Sequence, residues 1–245
     1  MQKTALITGA SGGIGRATAR LLAGSGVDLI LHGHANRTAL ESLVAELKSQ
    51  HPAANTTTVY ADLSQETEQN RLMETVANLG VVLDILVLTA GCDLMSTAMK
   101  QLPFDERFAK LWQVDVVSAM RLSRYFSKRM RHGGTIIFFG WDGVEYGMAG
   151  ETAQLYAAAK GAVQGFSRSL AKTLAPDVRV NCVAPGWIKT TWGETASPVT
   201  DKRVAAESLA QRWGTAEEVA EVVRFLTSGA AAYVNNQTIH VNGGR

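Results

Sequence analysis

Short apolar runs alternate with helix-period segments along the whole chain, and this alternation most narrows what the chain can fold into. "TALIT" (4–8), "VDLILH" (27–32), "TTTVYA" (56–61), "LDILVLTAG" (83–91, with its exit turn), "GTIIFF" (134–139), "VRVNCV" (178–183) and "TIHVN" (238–242) read as strands. Between them, helical spacing recurs in Ile14, Ala17, Leu21 and Leu22, in Leu40, Leu43, Val44 and Leu47, and in Leu72, Val76 and Leu79. A long helix is expected through about 106–130, and a fifth helix carries Leu155, Ala159, Val163, Phe166 and Leu170. A last helix, 215–228, opens on the capping box Thr215-x-x-Glu218. Strand and helix in strict succession predict an α/β fold: a doubly wound parallel sheet of about seven strands with helices on both faces. Such sheets bind ligands beyond the carboxyl ends of their strands. The polar and Gly-rich segments 8–15, 32–37, 62–63, 89–92, 140–152 and 184–192 all fall at that edge.

No linker, repeat or low-complexity stretch divides the chain, so residues 1–245 are expected to form one domain; 46% hydrophobic residues are enough for its core. The formal net charge of +2 comes without a basic stripe, which argues against a nucleic-acid partner. The densest basic cluster, "KRMRH" (128–132), reads as a solvated helix end. "MQKTALITG" runs straight into a strand without the basic and apolar regions of a secretory signal, and no apolar run reaches membrane-spanning length. Cys92 and Cys182 lie far apart without Cys-x-x-Cys spacing, which disfavours a disulfide framework and a zinc site. A soluble cytoplasmic protein without a metal is the expectation.

"TGASGGIG" (8–15) follows the first strand and opens the first helix. Gly9, Gly13 and Gly15 allow a tight turn and close approach of a ligand, with Ser11 and Ile14 in the same turn. The free N–H groups and positive dipole end of the new helix would face a diphosphate. The spacing is Gly-x-x-x-Gly-x-Gly rather than the commonest dinucleotide fingerprint. At the end of the second strand an acidic residue suits the ribose of NAD, and a basic one the extra phosphate of NADP. Here "HGHANR" (32–37) has no acid before Glu41, Arg37 is at hand, and Arg16 sits at the start of the first helix. A guanidinium fork suits a phosphate, so NADP(H) is expected in preference to NAD(H). His32 and His34 lack a third ligand and read as non-metal residues.

"QLYAAAKGAV" (154–163) places Tyr156 four residues before Lys160, on one helix face. With "TGASGGIG", "YAAAK", "NCVAPGWIKT" and "RWGTAEEVAEVVRFL" in that order, and "QTIHVNGG" closing, the whole chain resembles the short-chain dehydrogenase/reductase family, most of all its 3-oxoacyl-acyl-carrier-protein reductases. The resemblance implies one Rossmann-type domain with a substrate lid around 187–210, and hydride transfer between a nicotinamide and a carbonyl or alcohol. It implies a homodimer or homotetramer, assembled through the fourth and fifth helices. By position, Tyr156 becomes the acid that protonates the carbonyl oxygen, and Lys160 lowers its pKa and bonds the nicotinamide ribose. Asp62 and Leu63 match positions that hold adenine, and Ala90 and Gly91 the turn beside the adenosine ribose. Pro185 and Gly186 shape the nicotinamide loop, Ile188 binds the carboxamide, and Thr190 contacts the diphosphate.

The chain departs from that family at three places. "LTAG" (88–91) stands for "NNAG", which should weaken polar bracing between strands. A relay Asn becomes Asp115, which when ionised only accepts hydrogen bonds. Asp115 could still hold a relay water, or attract Lys160 enough to blunt its effect on Tyr156. The serine that helps hold the substrate oxygen is absent: counting back thirteen residues from Tyr156 gives Gly143, and aligning strand ends gives Gly140 or Trp141. Asp142, if protonated, or Thr152 could replace it; Thr152 could equally cap its helix. Trp141, Trp187 and Trp192 would border an apolar substrate space, or pack a lid. The alternative to an enzyme is a weakly catalytic nucleotide-binding sensor or partner subunit.

Overall fold

The computed structural model describes residues 2–194 and 196–245, apart from the side chains of Thr191 and Trp192. Strands β1 (Thr4–Thr8), β2 (Asp28–Gly33), β3 (Thr56–Tyr60) and β4 (Leu83–Leu88) alternate with helices α1 (Gly13–Gly24), α2 (Arg37–Gln50) and α3 (Glu66–Asn78). After β4 come a short helix α4 (Thr97–Lys100), then α5 (Phe104–Leu111), a π-helical turn (Trp112–Val117) and α6 (Ser118–Ser127) in unbroken succession. β5 (Met130–Phe139), a short α7 (Gly143–Tyr146), the long α8 (Glu151–Leu174) and β6 (Val178–Pro185) follow. The chain closes with β7 (Ile188–Lys189), α9 (Thr191–Glu194), α10 (Pro198–Glu207), β8 (Gly214–Thr215), α11 (Ala216–Thr227), a 3₁₀ turn (Gly229–Ala231) and β9 (Thr238–Val241).

Seven of these strands form one parallel sheet in the order β3-β2-β1-β4-β5-β6-β9, and β7 and β8 pair separately. The order reverses between β1 and β4, so the crevice where doubly wound sheets take ligands opens there. Successive side chains of a strand point to opposite faces, and both faces here are covered, so the central strands are mostly apolar. Ile136 and Phe138 of β5 join Leu122, Phe126, Leu155 and Val163 on the α6 and α8 side. Ile137 and Phe139 join Leu22, Leu40, Val219 and Val223 on the side of α1, α2 and α11. Truncating a fully buried Phe such as Phe126 or Phe138 to Ala would cost about 3–5 kcal/mol. Thr215 caps α11 as the sequence indicates: it accepts from Glu218 N, and the Glu218 carboxylate accepts from Thr215 N.

Two expectations need correction. The long helix does not reach 130, because Met130–His132 already belong to β5; Met130 pairs with Leu83, and a register break separates it from the regular ladder that resumes at Ile85. Arg131 Nε donates to Asp84 Oδ1 at 2.7 Å, and Asp84 Oδ2 accepts from Thr4 N, so the cation ties β5 to its neighbours. "KRMRH" is thus a helix end followed by a strand start. The polar bracing at "LTAG" also persists: the Thr89 hydroxyl donates to the Thr8 carbonyl, and Ala90 N donates to Thr8 Oγ1 at 3.2 Å.

His32, at the end of β2, is 2% exposed and links the sheet to the Gly-rich turn. Gly9 N donates to its Nδ1 at 3.3 Å, and its Nε2 stands 3.0 Å from the Ala61 carbonyl, which assigns the Nε2–H tautomer. Burial holds the imidazole neutral, with its pKa lowered to about 4. The unfolded chain therefore takes up this proton first, and stability falls as pH drops from about 6.5 to about 4, by ~3 kcal/mol for this group. Urea denaturation between pH 7 and 4 should show that loss in the native chain and a flatter profile in His32→Gln. Parallel profiles would show that His32 is not the responsible group.

Candidate active site

The first βα turn is built for close approach. Gly9 has φ +66°, and a Cβ there would stand 2.8 Å from Ala90 Cα. A Cβ on Gly15 would lie 2.3 Å from the Gly9 carbonyl oxygen. No side chain caps the start of α1, so its first N–H groups face outward from the turn. Two cavities meet at this edge. One, about 390 Å³, is bordered by Gly9, Ser11, Asp62, Leu63, Ala90 and Gly91. The other, about 630 Å³, is bordered by Ile14, Gly91, Tyr156, Lys160 and the 185–190 segment, which brings in Pro185, Gly186, Ile188 and Thr190. They share Thr89, Gly91, Cys92 and Asp93, so together they suit a long ligand with two bulky ends.

The sequence candidates thus converge, with five exceptions. Gly13 and Gly15 border neither cavity and serve the packing of the turn; a Cβ on Gly13 would stand 3.0 Å from Thr190 Cγ2. Arg37 is exposed outside the smaller cavity, its guanidinium 4.4 Å from the centre of the Tyr60 ring. Arg16 is already committed: its Nη2 donates to Glu46 Oε2 at 2.9 Å and its Nη1 to the Ala39 carbonyl. Asp115 borders neither cavity and lies behind the wall at 3% exposure.

Asp115 belongs to the π-helical turn, a local irregularity that often marks functional positions. Its Oδ1 accepts from Cys92 N at 2.7 Å, which fixes the turn after β4. Its Oδ2 stands 2.8 Å from Lys160 Nζ, and both side chains are almost fully buried. Lys160 Nζ also donates to the Phe139 carbonyl at 3.2 Å and sits 5.3 Å from the centre of the Tyr156 ring. Burial alone would lower the pKa of this ammonium; Asp115 and Tyr156 outweigh it and hold Lys160 above its usual range. Burial raises the Tyr156 phenol; Lys160 pulls it down, Asp115 pushes it up, and the balance lies above the ordinary tyrosine value. Asp115 thus pairs with Lys160, as its charge suggests.

Both expected replacements for the missing serine are partly engaged: Asp142 through Oδ2 alone, its Oδ1 being buried without a hydrogen-bond partner among the described residues, and Thr152 as an acceptor only. Asp142 is 1% exposed, with Asn242 Nδ2 at 3.3 Å and Arg245 Nη1 at 3.4 Å from its Oδ2. Thr152, on the first turn of α8, accepts from Arg107 Nη2 at 2.6 Å, while Arg107 also pairs with Glu151. Trp141 and Trp187 both border the larger cavity; Trp187 donates from Nε1 to Glu207 Oε2 at 2.9 Å. The Trp192 side chain lies outside the described residues. Arg203 and Arg245, which the sequence reading passed over, flank Glu207 at the same wall. Cys92 at the junction has its thiol pushed up to about 11 by burial, which keeps it protonated near neutrality.

Among the described residues no helix is long and apolar enough to cross a membrane. A family model described as enoyl-(acyl carrier protein) reductase matches residues 9–245. The chain is 38% identical to nodulation protein G of Rhizobium sp. (strain N33), over 99% of its own length and 96% of the relative's. It is 36% identical to the 3-oxoacyl-[acyl-carrier-protein] reductase FabG of Escherichia coli (strain K12), with the same two coverages. A short chain dehydrogenase from Burkholderia cenocepacia J2315, solved in complex with NADP, superposes with a TM-score of 0.89 at 27% identity, covering 99% of this chain and 97% of that one. A blue fluorescent protein from a metagenomic library, solved with NADPH, gives a TM-score of 0.88 at 28% identity with the same coverages. The chain belongs to the short-chain dehydrogenase/reductase family of oxidoreductases.

The buried Asp115–Lys160 pair bears on pH dependence in such a reaction. Were the Tyr156 phenolate the base in alcohol oxidation, the rate would rise with pH as the phenol ionises. Asp115→Asn removes one of the groups that raises this pKa. The rising limb of kcat/KM for alcohol oxidation should therefore move to lower pH in Asp115→Asn. An unmoved limb, or one displaced to higher pH, would contradict the coupling.

Proposed function

We propose that the chain is an NADP(H)-dependent reductase of carbonyl compounds, with 3-oxoacyl thioesters as its substrate class. One observation carries this reading: Tyr156 and Lys160 border a cavity that joins, through Gly91 and Cys92, the cavity of the Gly-rich turn. When bound, the reduced nicotinamide supplies a hydride. Gly9, Ser11, Gly13, Ile14 and Gly15 form the cradle for the diphosphate, with Thr190 opposite them. Asp62, Leu63, Ala90 and Gly91 take the adenosine, and Pro185, Gly186 and Ile188 the nicotinamide end. Arg37 has no ion-pair partner among the described residues and follows by three residues His34, which borders the smaller cavity, so it is the cation available to an adenosine 2′-phosphate. Thus NADPH is preferred to NADH.

Tyr156 donates its proton to the carbonyl oxygen. Its raised pKa keeps it protonated at neutral pH, which favours the reducing role. Lys160 orients the phenol and bonds the nicotinamide ribose; Asp115 fixes Lys160 in place. Segment 187–210, with β7, α9 and α10, closes over the substrate. The enzyme works in the cytoplasm as a homodimer or homotetramer.

Loss of NADPH absorbance with a panel of ketones, quinones and acyl thioesters tests the activity. Tyr156→Phe should lower turnover by about 10²–10⁴-fold with NADPH binding retained. Tight NADPH binding without turnover of any carbonyl would favour a nucleotide sensor instead. In the same assays NADPH should bind more tightly than NADH, and Arg37→Ala should narrow the gap. Equal affinities that ignore this substitution would overturn the cofactor assignment.

A further inference from the structure

A carbonyl oxygen that receives the Tyr156 proton passes through a partly negative state, and a second fixed donor beside it lowers the barrier. Several donors of the larger cavity are committed, while the Thr152 hydroxyl is held as an acceptor by Arg107 on the first turn of α8. Lys160 faces Asp115 and the Phe139 carbonyl, Trp187 donates to Glu207, and Arg245 lies between Asp142 and Glu207. Asp142 Oδ2 accepts from Asn242 and Arg245.

Trp141 differs from these. It follows β5 at the wall of the cavity, and its backbone carbonyl accepts from Gln164 Nε2 at 3.2 Å and from Val144 N at 3.3 Å. Its ring meets the Tyr156 ring edge-on, with centroids 5.3 Å apart and planes at 63°. Its indole N–H makes no hydrogen bond to any described residue, although an indole is an obligate donor. The ring also fills a definite place. A Cβ built on Gly143 would stand 2.4 Å from Trp141 Cζ2 and 2.6 Å from Cε2, the carbon that carries Nε1. Any side chain at 143 would overlap this indole.

We propose that the Trp141 indole N–H is the second donor to the substrate carbonyl oxygen, beside the Tyr156 hydroxyl, in the space a side chain at position 143 would occupy. This rests on the carbonyl-reductase reading. The indole keeps its hydrogen throughout; the oxygen takes its proton from Tyr156, and the carbonyl carbon takes hydride from the nicotinamide. The donor holds negative charge as it develops and does not bind the cofactor. Its loss therefore falls on kcat and leaves nucleotide affinity alone.

Trp141→Phe keeps an aromatic ring and removes the N–H. It should lower kcat by about 10²–10³-fold, with NADPH affinity and the far-ultraviolet circular dichroism spectrum unchanged. Trp141→Ala combined with Gly143→Ser should regain at least about tenfold over Trp141→Ala alone, because a hydroxyl then has room. Trp141→Phe with kcat within about threefold of the unsubstituted enzyme would overturn the proposal while leaving the carbonyl-reductase reading intact. A second measurement does not depend on turnover. In ¹⁵N-labelled enzyme loaded with NADP⁺, the indole resonance missing from Trp141→Phe should move downfield when ethyl acetoacetate is added. If other resonances of the site respond to the ketone and this one does not, the proposal fails. An unsubstituted enzyme that reduces no carbonyl would count against the functional reading, and the indole resonance would then decide the donor assignment by itself.

Discussion

The contact between Asp115 and Lys160 constrains the rest of the site. Two opposite charges buried 2.8 Å apart cannot be separated cheaply, and removing one partner of such a pair usually costs about 3–5 kcal/mol. That cost fixes the Lys160 ammonium against the π-helical turn, and the Phe139 carbonyl holds it from the other side. Asp115 also holds Cys92 N, so one carboxylate ties together the exit of β4, the α5–α6 helix and the middle of α8. The chemical consequence falls on Tyr156. Burial raises the phenol most, Lys160 still attracts a phenolate, and Asp115 opposes Lys160. The phenol is held in its protonated form.

The sheet makes this arrangement possible. Its order reverses between β1 and β4, so the Gly9 turn and the Thr89–Gly91 turn open side by side. β5 and β6 then deliver Trp141 and Gly186 to the same edge. His32, at the end of β2, holds Gly9 N and so couples the cradle to the sheet. Close packing of Gly9 on Ala90 leaves no room for a side chain at the crevice floor.

Most of the fold was legible because its signals are local. Buried parallel strands read as apolar runs, and each helix carries its stripe, so β1, β2, β4 and α11 lie within a residue or so of their expected bounds. The start of β5 was not legible, since "KRMRH" looks like a polar helix end and only the distant Asp84 and Leu83 make it a strand. The π-helical turn has no periodicity of its own. The spacing of Tyr156 and Lys160 gave only a shared helix face, and the family resemblance singled the pair out; the pairing of Asp115 with Lys160 was legible from its charge. The fates of Asp142 and Thr152 were not: their partners Arg245 and Arg107 lie 103 and 45 residues away. The filling of the Gly143 space by an indole two residues earlier depends on a side-chain orientation that no local pattern encodes.

The central claim is that Asp115 and burial together keep Tyr156 neutral despite the ammonium beside it. Its most direct test is the tyrosinate absorbance of the native chain minus that of Tyr156→Phe, followed from pH 7 upward. The account predicts no difference signal through the range near pH 10 where an ordinary tyrosine ionises, with the signal emerging above it. A phenolate already present near neutral pH would mean that Lys160 dominates its surroundings, and would contradict the account.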